Sequence, residues 1–154
     1  MSENVYKIAL ASNFTIEPVQ ASLKEALTKV DGTFEVEIAP FNQIFQQLAD
    51  PSSLFNKNIS GANAIFLRVA DLIDNGAALA TLSESDLESI SRAALELSDW
   101  LKRPRVNSSP LFVLLTPSLS SDATVFQKLK NIENEFASSL MDVSNLFISQ
   151  WLPC

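Results

Sequence analysis

A serine at the end of the first predicted strand is the residue best placed for chemistry, yet the chain has no histidine to activate it. The apolar run from Tyr6 to Ala11 leads directly into Ser12, and Pro18 suits the first turn of a helix beyond it. Ligands of parallel α/β sheets bind beyond the carboxyl ends of the strands, where a nucleophile would lie. A serine needs an adjacent base to attack, so the position predicts a pocket while the composition excludes a Ser-His pair within the chain.

Polar side chains follow three of the predicted strands. They are Ser12, Asn13 and Thr15 after the first, Asn42 and Gln43 after the second, and Arg68 and Asp71 after the third. Because the carboxyl ends of neighbouring parallel strands meet at one edge, we expect these seven residues to form a ligand-binding site. Ser12 and Thr15 could hold an anion at the start of the next helix, or could simply cap that helix. Arg68 could bind a carboxylate or phosphate, or could form a structural ion pair with Asp71.

Composition excludes several classes of function. A net charge of -7 over 154 residues argues against a nucleic-acid partner, which would need a clustered basic surface. With no histidine and a single cysteine at the last position, Cys154, the chain offers no predicted metal site. Its three glycines form neither a P-loop nor a dinucleotide fingerprint. We therefore expect neither a metal nor a cofactor.

The termini and the hydropathy pattern indicate a compartment. The residues at positions 1–4 lack the basic and apolar parts of a signal peptide, and no apolar run approaches membrane-spanning length. A lone cysteine cannot form an intrachain disulfide, which suits a reducing environment. We expect a cytoplasmic protein without a membrane segment.

Five short apolar runs alternate with segments of helical periodicity, which predicts an α/β fold with a mostly parallel sheet of about five strands. The runs are Tyr6 to Ala11, Phe34 to Ala39, Ala64 to Leu67, Leu111 to Thr116 and Leu146 to Ile148. The third and fourth are the most uniformly apolar, so we expect both to be central strands buried on both faces.

Four amphipathic segments predict the helices. The first begins at Pro18 and ends before Asp31-Gly32, and a short second one spans Phe41 to Leu48. The third begins at a Ser83/Asp86 capping pattern and ends before Pro104. The fourth begins near Ser121-Asp122 and carries Leu140 inward.

Few residues follow the fifth run, where a doubly wound sheet usually continues with another covering helix. Exposed Phe147, Trp151 and Leu152 would then form an apolar patch for a partner or for a second copy of the chain.

Three segments of the chain resemble the N-terminal SGNH-like domain of FkbH-like proteins and related domains of polyketide and nonribosomal peptide synthetases. They are Ser12 to Pro18, Ala39 to Ser53 and Phe66 to Leu72. The likeness covers Lys7 to about Leu115, and the segment from Ala39 is its most specific part.

This resemblance implies that residues 1–154 form a single three-layer, flavodoxin-like SGNH domain. It puts Ser12 at the nucleophile position and Asn42 in the loop that can contribute to an oxyanion hole. The C-terminal block that supplies Asp and His in SGNH hydrolases is not found. FkbH-like proteins pair such a region with a phosphatase-type domain that loads a glyceryl unit onto an acyl carrier protein, and the acidic motif of that domain does not occur here.

We therefore expect a non-catalytic or incomplete SGNH-like module that recruits an acyl or peptidyl carrier protein or a neighbouring synthetase domain. Two alternatives stay open. One is an acyltransferase or esterase in which Ser12 uses a base supplied by another chain. The other is a module that binds a small anionic ligand through Ser12, Thr15 and Arg68.

Overall fold

A computed structural model describes residues 4–73, 82–105 and 107–150. Its centre is a five-stranded sheet in the order β2-β1-β3-β4-β5, in which every neighbouring pair is parallel. The strands are β1 (Val5–Ser12), β2 (Thr33–Ile38), β3 (Gly61–Leu67), β4 (Leu111–Leu115) and β5 (Leu146–Gln150). The predicted α/β fold with a parallel sheet is confirmed, and the strand order is that of flavodoxin-like folds.

In the described part of the chain, helices and a short 3-10 turn connect the strands. They are α1 (Glu17–Leu27), α2 (Ile44–Ala49), α3 (Leu54–Lys57), the 3-10 turn Val69–Leu72, α4 (Glu84–Lys102) and α5 (Ala123–Ser139). The Ser83 side chain accepts from the N–H of Asp86, whose carboxylate accepts from the N–H of Ser83, so the predicted capping box forms. Asp122 caps α5 as predicted.

Three local predictions were wrong. Helix α1 ends at Leu27, which leaves Val30 outside it and 52% exposed. Phe41 precedes α2 instead of packing within it, and is 67% exposed. Helix α3 was not among the predicted helices; it forms because the Ser53 side chain accepts from the N–H of Asn56 and caps a turn too short for a periodic pattern.

The described helices cover the two faces of the sheet unequally. Helix α1 packs over a small cluster that includes Leu10, Val36 and Ala64 from β1, β2 and β3. The larger cluster on the other face joins the sheet to α2, α4 and α5. This arrangement gives the three layers expected of the fold. None of the described helices is both long and apolar enough to cross a membrane.

The expectation of two central strands buried on both faces holds for β3 and not for β4. Only Phe66 of the seven β3 residues escapes full burial. In β4, Phe112 is 40% exposed, because the cluster beneath α1 reaches β4 only at its margin through Leu114. Strand β3 also begins earlier than predicted: Asn63 interrupts the apolar run, and its amide is satisfied by Asn58 and by the carbonyl of Phe55.

Candidate functional site

The loops that follow β1, β2 and β3 meet at the carboxyl edge of the sheet. The N–H of Asn42 donates to the carbonyl of Ser12 at 3.0 Å, which ties the second loop to the first. The side chain of Asn13 bonds to the backbone of Arg68, which ties the first loop to the third. The structure thus places residues from all three predicted groups around one edge, and their role in binding a ligand stays a prediction.

Ser12 lies in an environment that does not favour nucleophilic attack. The residue is 3% exposed, and its hydroxyl donates to the carbonyl of Phe14 at 2.7 Å. A nucleophilic serine must instead donate to a base that can take its proton. Within the described ranges no side chain accepts a hydrogen bond from Ser12. Nucleophilic attack would require the hydroxyl to rotate, a base from outside the described residues and a path for the substrate.

Asn13 acts as a brace between two loops. Its Nδ2 donates to the carbonyl of Arg68 at 2.9 Å, and its Oδ1 accepts from the N–H of Arg68 at 3.0 Å. Both hydrogen bonds span 55 positions in sequence, and Asn13 is 5% exposed. A buried amide whose donor and acceptor both serve one backbone unit has a structural role, since it satisfies polar groups that would otherwise be orphaned.

Arg68 is occupied on two sides. Its Nη1 lies 3.1 Å from Oδ2 of Asp71, and its guanidinium carbon lies 4.7 Å from the centre of the Phe14 ring. The side chains of Arg68 and Asp71 are 33% and 35% exposed. At this exposure an isolated ion pair contributes about 0–1 kcal/mol. The geometry favours the structural alternative, in which the arginine positions Phe14 and the start of the 3-10 turn.

The remaining predicted residues contribute little to a pocket. Thr15 is exposed, and the residue that caps α1 is Ile16, with no side-chain capping bond. The proposed capping of α1 by Ser12 or Thr15 is therefore wrong. Asn42 has a left-handed backbone with φ of 59°, and its N–H is already bound to Ser12, so that donor is unavailable to an oxyanion. Gln43 is half-buried at the start of α2 without a side-chain capping bond.

A support behind this edge was missed by the sequence analysis. The hydroxyl of Ser118 accepts from the N–H of Ala70, and the N–H of Ser118 donates to Oε1 of Glu133 at 3.0 Å. Glu133 is 4% exposed, and its burial raises the pKa of its carboxyl group. These contacts fix the 3-10 turn that carries Asp71. No sequence signal could reveal them, because Glu133 falls among ordinary polar positions of α5.

Acidic side chains do not gather anywhere in the described part of the chain. No group of three histidine, cysteine, aspartate or glutamate residues there is close enough to hold a metal ion. Among the described residues, the carboxyl edge therefore offers the buried hydroxyl of Ser12, the engaged amide of Asn13 and the Arg68–Asp71 ion pair, and no side chain there accepts a hydrogen bond from Ser12.

Comparison with known proteins supports the fold. No protein-family model and no curated protein matches the sequence significantly. A crystal structure of the N-terminal part of the protein BF1531 from Bacteroides fragilis, which contains a phosphatase domain and is complexed with Mg, matches with a TM-score of 0.72 at 16% identity. The alignment covers 95% of this chain and 40% of that chain. At this identity the likeness shows a shared fold.

Proposed function

We propose that this chain is a non-catalytic SGNH-like module, related to the N-terminal domain of FkbH-like proteins, that recruits a carrier protein or neighbouring domain of a polyketide or nonribosomal peptide assembly line. The family part of this proposal depends on the three sequence segments that resemble FkbH-like proteins. The shared fold of the Bacteroides fragilis structure supports it.

The observation that best supports the recruiting role is an exposed aromatic pair on the sheet. Phe112 of β4 and Phe147 of β5 are paired in register and stack with ring centres 5.2 Å apart. They are 40% and 53% exposed. Phe147 belongs to the predicted apolar patch, whose other members, Trp151 and Leu152, lie outside the described residues. Parallel sheets normally have both faces covered, so a stacked pair of phenylalanines on a sheet face that no described helix covers is more informative than scattered surface side chains. We call Phe112 and Phe147 the aromatic pair.

The state of Ser12 supports the non-catalytic part of the proposal. Its hydroxyl donates to a backbone carbonyl, and no described residue offers a base to it. A phosphatase activity residing in this chain is also disfavoured, because the residue that ends β1 is a serine and the sequence contains no Asp-x-Asp motif. The solved neighbour is longer and contains a phosphatase domain, which supports a module that works beside other domains.

The recruiting role is tested by titration. The labelled chain is titrated with each carrier protein and synthetase domain encoded beside it, and binding is followed by NMR and calorimetry. We expect binding to one of them and a loss of tenfold or more in Phe147→Ser, because a central aromatic contact contributes about 2 kcal/mol or more to an interface. Phe41→Ser is the matched control, since Phe41 is 67% exposed and follows β2, which lies at the opposite edge of the sheet from β5.

Three outcomes would count against this role. Absence of binding to every such protein would contradict recruitment, and an equal loss in Phe41→Ser would move the interface elsewhere. A dimer of this chain that Phe147→Ser converts to monomer would assign the aromatic pair to self-association.

The non-catalytic part has its own test. The chain is incubated with a fluorophosphonate probe, alone and with each binding partner, and analysed by mass spectrometry. We expect no adduct on Ser12. A modification that appears with a partner and vanishes in Ser12→Ala would instead establish the acyltransferase alternative.

A further inference from the structure

A small cavity lies at the opposite end of the sheet from Ser12, near the amino ends of β3 and β4. Its volume is about 110 Å³, which is room for several water molecules or one small ion. Its lining includes Gln47, Phe55, Trp100, Arg103, Arg105 and Asn107. None of the described lining residues is acidic. We call this space the arginine cavity.

Among the described residues, Arg103 and Arg105 have no carboxylate partner. The four ion pairs among the described residues involve Lys7, Arg68, Lys128 and Lys130. Arg103 and Arg105 therefore carry uncompensated charge in a chain whose net charge is -7. Such a concentration of positive charge in a recess attracts anions, because the surrounding low-dielectric walls weaken screening.

Each arginine is held in place by a contact that leaves donors unused. The Arg103 guanidinium lies 3.7 Å from the centre of the Trp100 ring, which fixes its plane. Nη2 of Arg105 donates to the carbonyl of Asn145 at 2.6 Å, while its Nε is buried and bonds to no described residue. An unpaired buried donor of a charged group is costly, so a ligand that accepts from it would be favoured.

A buried amide adds a third donor. Gln47 is 5% exposed, and its Oε1 accepts from the N–H of Phe55 at 3.2 Å, which fixes the orientation of the amide. Its Nε2 bonds to nothing in the described ranges. The wall next to it is rigid, because Nδ2 of Asn107 donates to the carbonyls of both Phe55 and Asn56.

We propose that the arginine cavity binds a phosphate-type oxyanion through Arg103, Arg105 and Gln47. Gln47, Arg103 and Arg105 line the cavity from three separate parts of the fold: α2, the residue after α4 and the segment before β4. A tetrahedral anion presents oxygens in several directions, whereas the two oxygens of a carboxylate are coplanar with their carbon. The site is independent of the aromatic pair and of the proposed recruiting role.

Calorimetry and NMR with inorganic phosphate test this proposal. Phosphate, sulfate, acetate and chloride are titrated into the full chain at constant ionic strength. We expect phosphate to bind and to shift the indole signal of Trp100 and the side-chain amide signals of Gln47. Arg103→Gln should weaken phosphate binding by about tenfold or more, because a hydrogen bond to a charged group contributes at least about 1.5 kcal/mol.

Arg92→Gln is the matched control, since Arg92 is an exposed arginine of α4 and its replacement changes net charge equally. It should alter phosphate binding less than twofold. Equal weakening in both variants would show diffuse attraction to the surface and overturn the site. Absence of a phosphate-dependent shift at Trp100 and Gln47 would also overturn it, and binding of acetate as tight as that of phosphate would refute the preference for a tetrahedral anion.

Discussion

Replacement of Asn13 by alanine should destabilise the protein substantially, because this residue joins the loop after β1 to the loop after β3. The change removes two hydrogen bonds, at 2.9 and 3.0 Å, and leaves the carbonyl and the N–H of Arg68 without these partners. An unsatisfied buried polar group costs about 1–3 kcal/mol. For the two groups together we expect a loss of about 3 kcal/mol in the free energy of unfolding.

Thermal and urea unfolding measure this loss. For a chain of this size the melting temperature should fall by about 6–12 °C, since each kcal/mol corresponds to about 2–4 °C. Asn131→Ala is the control: Asn131 is an exposed residue of α5 that accepts one hydrogen bond from Gln127. Its stability should change by at most about 0.5 kcal/mol.

Asn13→Asp separates the donor from the acceptor. The aspartate retains an oxygen for the N–H of Arg68, but when ionised it cannot donate to the carbonyl of Arg68. Folding therefore raises the pKa of the new carboxyl, and the stability of the variant should recover as the pH falls and a donor proton returns. A loss below about 1 kcal/mol in Asn13→Ala, or a pH-independent stability of Asn13→Asp, would refute the bracing role.

Three further predictions concern the fold. Burial raises the pKa of the Glu133 carboxyl, so its protonation favours the folded state; this contribution to the free energy of unfolding is complete below the ordinary pKa of 4.5 and is lost as the pH rises through the raised pKa. Urea unfolding at a series of pH values should therefore show wild type losing stability relative to Glu133→Gln. Parallel pH profiles of the two proteins would contradict this. Gly61→Ala should cost about 3 kcal/mol or more in the same assay, because the new Cβ would lie 1.7 Å from the carbonyl oxygen of Lys7, and a loss below about 1 kcal/mol would refute that close approach. Ser83→Ala removes half of the capping box and should cost about 1 kcal/mol, and an unchanged melting temperature would show that the cap is dispensable.

Patterns of nearby residues predicted most of the fold, because the interactions that form a helix or cap its end join residues close in sequence. Leu87, Ile90, Ala94, Leu97 and Leu101 of α4 recur at helical spacing in the sequence, and all five are buried. Capping at the starts of α4 and α5 was predicted because the residues that make it lie within three positions of each other. One error fell just beyond that range: Asn63 is a polar strand residue whose amide is satisfied by the side chain of Asn58 and the carbonyl of Phe55, which lie outside the strand.

The candidate site likewise has features that the sequence predicts and features that it does not. The order of residues shows which polar side chains follow which strands, and parallel pairing is enough to bring Ser12, Asn13, Asn42 and Arg68 to one edge. What each group does there depends on its contacts in the folded chain, because a hydroxyl is a nucleophile or a structural donor according to its partner. For Ser12 that partner is the carbonyl of Phe14.

Two features lay beyond any pattern in the sequence. Phe112 and Phe147 are 35 positions apart and become an exposed stacked pair only when β4 and β5 align. Arg103 and Arg105 resemble an ordinary basic helix end in the sequence, and they line a cavity together with Gln47 of α2 only in the folded chain. Residue types and their spacing determined the elements and the strand ends, whereas exposure, hydrogen-bond partners and uncompensated charge depend on segments far apart in the chain and exist only once it is folded.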